Sequence, residues 1–181
     1  MQPKKEINIV WFKRDLRFLD HEAIFHAQQQ ALPILFVYFF EPSIMNAEDS
    51  DQRHWRFIYE SVYDMNDRLQ ATGSRIYMFH QEAQTVFERL NTLYSIKHVF
   101  TYQETGNQLT YERDQRMASF FKAQHIIWKE FQTNGVIRGL KNRKEWQQLW
   151  EARVTSPINY FDEKQLNLAQ VDPAVYNELK G

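Results

Sequence analysis

Lys13, Arg14, Asp15 and Arg17 place four charges within five positions, directly after the apolar run Ile7, Ile9, Val10, Trp11 and Phe12. A guanidinium group binds phosphate in bidentate fashion, and a carboxylate accepts hydrogen bonds from ring N–H and hydroxyl groups. Glu41 closes a second apolar run, PILFVYFF, and Glu104 follows a later one, Lys97 to Tyr102. In an open parallel sheet, ligands bind in the crevice outside the carboxyl ends of the strands. Arg14, Asp15, Glu41 and Glu104 are therefore the candidate binding residues. The competing reading of Arg14 and Asp15 is an ion pair that holds the loop and a domain interface, and that of Glu104 is a plain surface carboxylate.

Other chemistries find no support. The six His residues show no helical metal-pair spacing backed by a third ligand, so no metal site is expected. No Walker loop or GxGxxG turn follows any apolar run, and no nucleophile-elbow context surrounds a Ser. The absence of Cys excludes disulfides, thiolate ligands and a Cys nucleophile, and it fits a reducing compartment.

The elements that must position the candidates alternate. Ile7 to Phe12 reads as a first strand buried on both faces, with a helix from about Leu19 to Gln30 that turns Ile24 and Ala27 inward. Pro33 to Phe40 is a second strand, which Pro42 cannot continue. Trp55, Ile58, Val62, Met65 and Leu69 recur at steps of three and four, which makes 51–72 a long amphipathic helix stopped by Gly73. Strands at 75–79, 97–102 and 125–131 alternate with helices at 83–94 and 108–123. This order predicts an α/β fold: a Rossmann-like three-layer α/β/α sandwich around a five-stranded parallel sheet with right-handed crossovers.

The texture changes after Phe131. Asn142 to Arg153 reads as a short helix with Trp146, Leu149 and Trp150 on one face, and Trp11, Trp55 and Trp128 are assigned to the core. From Thr155 onward, Pro157 and Pro173 interrupt a polar, linker-like stretch whose Ile158, Tyr160, Phe161, Leu166 and Leu168 still require something to pack on. The expected organisation is an α/β domain over 1–135 and an interdomain segment over 136–181.

Charge and length bound the function. Lys plus Arg number 22 against 23 Asp plus Glu, and no basic stripe tracks a phosphate backbone, so these residues by themselves are not expected to bind nucleic acid. The opening residues MQPKKEIN lack a signal-peptide core and no apolar run reaches spanning length, so a cytoplasmic protein without membrane attachment is expected.

The string Val10-Trp11-Phe12-Lys13-Arg14-Asp15-Leu16-Arg17, with Asp20 after it, resembles the opening signature of the DNA photolyase and cryptochrome family. The resemblance continues through Leu32-Pro33 to Glu41-Pro42, where the family usually has Asp-Pro, through the long helix ending at Gly73, and through Glu104 and Arg113-Asp114. It covers roughly residues 7 to 135. It implies the family's N-terminal domain, which holds an antenna chromophore: a folate, a deazaflavin or a flavin mononucleotide. The folate-binding version tends to carry an Asn-Glu pair where this chain has Asn107-Gln108, which points to deazaflavin or flavin mononucleotide, or to an empty site.

In that family the flavin adenine dinucleotide (FAD), its reducing tryptophans and the lesion pocket lie in a C-terminal helical domain, to which residues 136–181 would lead. The resemblance therefore implies no catalytic residue here. It implies a parent flavoprotein, a deoxyribodipyrimidine photolyase that repairs damaged DNA through its helical domain. These residues alone would neither bind FAD nor repair DNA. A cryptochrome-type photoreceptor is the alternative, and a free-standing nucleotide-binding domain a second one. Arg14, Asp15, Glu41 and Glu104 become the implied antenna contacts.

Overall fold

The computed structural model describes residues 3–181, so Met1 and Gln2 of the expected 1–135 domain lie outside it. The chain forms β1 (Lys5–Phe12), α1 (Glu22–Gln28), β2 (Ile34–Phe39), α2 (Pro42–Met45), α3 (Gln52–Leu69), β3 (Ile76–Phe79), α4 (Ala83–Leu93), β4 (Tyr94–Tyr102), α5 (Gln108–Ala123), β5 (Ile127–Phe131), α6 (Trp146–Val154) and α7 (Pro173–Leu179). The five strands pair in parallel in the order β3-β2-β1-β4-β5. β1 is central, flanked by β2 and β4, so the chain reverses its direction of sheet growth beside β1.

Alternation along β1 divides the core. Ile7, Ile9 and Trp11 join Leu35, Val37 and Phe39 in one layer with α4 and α5, whereas Val10 and Phe12 join Phe36, Tyr38 and Phe100 in the other with α1 and α3. Successive side chains of a strand point to opposite faces, so a strand covered on both sides must be apolar at every position. That is why the run from Ile9 to Phe12 has no polar residue. The single buried polar residue of the strand is Asn8, whose Oδ1 lies 3.0 Å from Nδ1 of His98 where the β1–β4 register shifts.

The helices follow the periodicity read from the sequence, with shorter ends. α3 buries Val62, Met65 and Leu69, while Trp55 and Ile58 are only half covered. Gly73 takes φ +69°, the left-handed conformation that ends the turn of 3-10 helix after α3. β2 ends at Phe39, before Pro42 is reached, and Pro42 occupies the first turn of α2, where its missing N–H costs nothing. Trp11 is core; Trp55 and Trp128 pack on the core but remain half-buried.

Residues beyond 155 carry more structure than their polar texture suggests. Asn167 and Ala169 bracket the start of β2, with Ile34 N–H donating to Asn167 O and Ala169 N–H to Ile34 O, each at 2.8 Å. Further along, Val171 N–H donates to the Tyr77 hydroxyl, the Tyr176 hydroxyl donates to Met78 O, and His80 N–H donates to Lys180 O. The tail thus covers the outer edge of β3, which would otherwise present unpaired strand groups. Leu166, Ala169, Val171 and Leu179 are buried by it, whereas Ile158 and Tyr160 stay exposed. Trp146 and Trp150 of α6 stack on each other with centroids 6.0 Å apart and remain more than a third exposed.

Leu179→Ala is expected to lower the unfolding free energy by about 2–4 kcal/mol in urea denaturation, as for a buried leucine. A loose linker would give no measurable change.

Candidate functional site

Four elements end around one crevice. The loops after β1, β2 and β4 and the first turns of α5 enclose a cavity of about 620 Å³ beside the point where sheet growth reverses. Its upper wall is mainly apolar, made by Ile44 of α2 and by Trp55, Phe57 and Ile58 of α3, with His54 and Ser61 of α3 among them. Its floor is charged. Size and lining are those of a small-molecule site, apolar walls with a few convergent polar groups.

The floor is an ion network, which Arg138 joins from outside the cavity through Asp114 Oδ2 at 3.4 Å. Arg113 of α5 donates to Glu41 Oε2 at 2.5 Å and meets Asp114 Oδ1 at 3.0 Å, with Glu104 Oε2 farther off at 3.5 Å. Lys13 Nζ lies 3.0 Å from Asp114 Oδ1. The two cations also bracket Trp11, Lys13 Nζ at 4.5 Å and the Arg113 guanidinium at 4.9 Å from its ring centre. Lys13, Glu41, Arg113 and Asp114 are all buried. Charges withdrawn from water this far persist only because each finds a hydrogen-bonded opposite.

Burial disfavours the charged forms of Glu41, Arg113 and Lys13, and their carboxylate or guanidinium partners act on each in turn. Burial pushes the Glu41 carboxyl above the usual carboxylate range, against the pull of Arg113. Burial likewise opposes the charge on Arg113, but Glu41 and Asp114 outweigh it and strengthen the guanidinium's hold on its proton. Burial, helped by Arg113, lowers Lys13 below the ordinary lysine value. Tyr38, on the same side, is pushed up by burial and then by the carboxylates of Glu104, Asp15 and Glu41, so its hydroxyl stays protonated.

Arg14 sits at the mouth. Its Nε donates to Glu104 Oε1 at 2.6 Å while the side chain remains 73% exposed, which leaves the outer edge of the guanidinium open to the cavity. Gly106 permits this arrangement. A Cβ there would collide with the Thr110 hydroxyl and crowd Glu104 Oε1 at 3.2 Å and an Arg14 terminal nitrogen at 3.3 Å. Asn107 is fully engaged beside it, its Oδ1 accepting from Thr110 N–H to cap α5 and its Nδ2 donating to Asp49 across the cavity mouth.

Of the residues expected at the site, Arg14, Glu41 and Glu104 line the cavity and Asp15 does not. The Arg14–Asp15 ion pair is replaced by two other pairs. Arg14 goes to Glu104, whose side chain is 5% exposed and so is no surface carboxylate. Asp15 Oδ2 lies 2.8 Å from His21 Nε2, and its Oδ1 accepts from Lys13 N–H. His21 in turn caps α1, its Nδ1 accepting from Ile24 N–H. That bond assigns the proton to Nε2, so Nε2–H donates to Asp15. Burial would raise Asp15, but the hydrogen bonds from His21 and from the Lys13 N–H hold it below the usual aspartate value. Asp15 thus ties the loop after β1 to the start of α1.

Sequence reasoning did not select Arg113, Asp114 and Lys13 as site residues. A signal for the first two was present, since α5 buries Thr110, Arg113, Asp114, Met117 and Phe121 on one face. Two charges at inward positions of a helix mark a buried polar network. For Lys13 only the three-dimensional contact with Asp114 reveals the role. Among the described residues no cluster of three or more His, Cys, Asp or Glu is placed to hold a metal, and no helix is long and apolar enough to cross a membrane.

Comparison with known proteins bears on what such a crevice serves. The DNA photolyase family matches residues 8–154. Cryptochrome-1 of Drosophila melanogaster is 25% identical over 148 residues, covering 72% of this chain and 27% of that protein. The bacterial class III photolyase of Agrobacterium tumefaciens superposes with a TM-score of 0.70 at 18% identity, over 96% of this chain and 37% of that one. The archaeal photolyase of Sulfolobus tokodaii, solved with two FAD molecules, superposes with a TM-score of 0.65 at 19% identity, over 80% and 34%. The chain therefore spans about a quarter of the fly protein and about a third of each photolyase.

Glu41→Ala, which strands Arg113 without its nearest carboxylate, is expected to cost about 3–5 kcal/mol in chemical denaturation, whereas the exposed Arg14→Ala should change stability by under about 1 kcal/mol. The native pKa of Asp15 lies below its unfolded value, so its stabilising contribution is complete above the ordinary aspartate range and is lost as pH falls through the native value. Denaturation of Asp15→Asn and the native protein between about pH 6 and pH 2 should show this component of the acid slope only in the native protein.

Proposed function

The chain belongs to the DNA photolyase family, and we propose that it is the antenna-chromophore domain of a deoxyribodipyrimidine photolyase, with deazaflavin or flavin mononucleotide in the crevice. In this reading residues 136–181 lead to a C-terminal helical domain that binds FAD and reaches damaged DNA, and residues 1–135 perform no repair alone. The observation that carries the reading is the crevice itself: about 620 Å³, at the carboxyl ends of β1, β2 and β4, apolar above and ion-paired below.

The residues present fit such a group. A flat ring system suits a wall built from Phe57, Ile58 and Ile44. The floor offers hydrogen-bonding edges whose charges are already mutually neutralised, so an uncharged ring is not repelled. Arg14 keeps the one guanidinium edge at the mouth that is open to a phosphate. When bound, the chromophore would absorb light and hand the energy to the catalytic flavin. The chain's own part is to orient the ring, exclude water from it and anchor its polar tail. The commitment of Asn107 to the α5 cap and to Asp49, with Gln108 turned to Glu112, supports deazaflavin or flavin mononucleotide over folate.

A cryptochrome-type photoreceptor uses the same domain, and the 25% identity to the fly cryptochrome favours keeping that second reading. Assay of dimer repair by the full-length protein separates the two.

Visible absorption of the purified chain after incubation with folate, deazaflavin or flavin mononucleotide tests the antenna reading. Retention of one of the latter two is expected, with Arg14→Ala weakening flavin mononucleotide by about tenfold or more, the scale of one charged contact. Failure of both to bind, or binding indifferent to Arg14→Ala and Phe57→Ala, would remove the crevice as their site.

A further inference from the structure

Four hydroxyl-bearing residues line the crevice, Tyr38, Ser50, Ser61 and Thr110. Three are bonded within the chain: Ser50 Oγ accepts from Trp55 Nε1–H, Ser61 Oγ donates to Phe57 O, and Thr110 Oγ1 donates to Asn107 O. The Tyr38 hydroxyl has no hydrogen-bond partner among the described residues, although the residue is only 5% exposed. Its oxygen is not sealed in the packing but keeps contact with the cavity.

Packing alone does not account for a hydroxyl at this place. Phe36, Tyr38 and Phe40 share one face of β2 and one core layer, and Tyr38 stands in register with Phe12 of β1, its ring 4.9 Å from that of Phe40. A phenylalanine would supply the same ring contacts without withdrawing an unpaired polar group from water. Buried hydroxyls nearly always have a partner, so the partner of this one is to be sought in the cavity it faces. The Glu41 and Glu104 carboxylates act on the same hydroxyl and would repel an anion brought to it. They already offer acceptors to a ligand's N–H groups, and the hydroxyl adds what they lack, a neutral donor.

We infer that Tyr38 is a specificity-determining residue of the crevice: its hydroxyl donates to a neutral acceptor, a carbonyl oxygen or ring nitrogen, on the inner edge of a bound heteroaromatic ring. This inference rests on reading the crevice as the chromophore site, and it adds an orientation. Tyr38 is buried and Arg14 is exposed at the mouth, so the ring enters with its acceptor edge first and an anionic tail stays outside at Arg14.

Flavin mononucleotide, riboflavin and 5-deazariboflavin test the two ends separately, since all three carry a pyrimidinedione edge and only the first carries a phosphate. Each is titrated into the native chain, Tyr38→Phe and Arg14→Ala, with affinity read from visible absorption and the ring's bonds from Raman spectra. Tyr38→Phe keeps the ring and removes only the hydroxyl. It is expected to weaken every ligand that the native chain binds by the same factor, about three- to tenfold, the scale of one neutral hydrogen bond, and to shift a C=O or C=N stretching band of the bound ring. Arg14→Ala should weaken flavin mononucleotide alone. Without ligand, Tyr38→Phe should melt at the native temperature or above it, because the hydroxyl it removes has no partner in the chain. Unchanged affinity and unmoved bands in Tyr38→Phe would overturn this inference and leave the chromophore reading standing. A lowered melting temperature of the ligand-free variant would mark the hydroxyl as structural and overturn it too. Binding of none of the three ligands by the native chain would overturn both readings.

Discussion

Arg113 is the group on which the site end of this domain depends. It projects from α5 into the space above the carboxyl ends of the strands, and it holds Glu41 after β2, Asp114 beside it and, at longer range, Glu104 after β4. Lys13 after β1 joins through Asp114. One guanidinium with five donors in a fixed planar fork can serve several carboxylates at once and sets their relative positions, which the three rotatable donors of a lysine ammonium would not. Loops that would otherwise move independently are thereby tied to one helix. Such a network contributes little net stability relative to an apolar replacement, but it defines one arrangement, because every alternative leaves a charge buried without a partner.

That constraint shapes the crevice. With its charges satisfied among themselves, the floor presents polar edges of nearly neutral sum beneath the apolar wall of α2 and α3. Arg14 escapes the network at one edge only, bound to Glu104 through Nε and open beyond it. Trp11 lies under both cations and forms the join between the network and the aromatic core of Phe39, Phe87 and Trp128. Rigidity at the floor thus continues without a break into the packed layer beneath. A binding crevice built this way needs little reorganisation to receive a ring.

The sequence by itself determined the layers. Apolar runs too short for buried helices, alternating with steps of three and four, leave few arrangements other than a parallel sheet covered on both faces, and the strand and helix centres were legible for that reason. It also placed Arg14, Glu41 and Glu104 near one another, since residues just past the ends of parallel strands share one edge of the sheet. Partner choice was decided only by the tertiary structure. Asp15 stands next to Arg14 in sequence, yet it pairs with His21, and Arg14 pairs with Glu104 ninety positions away. The tail, polar in texture, became part of the core because its spaced apolar residues entered both layers, Ala169, Val171 and Leu179 the one and Leu166 the other. Short-range patterns record which face of an element is apolar. Ion pairing and edge covering depend on which distant groups arrive at the same place once the sheet has closed.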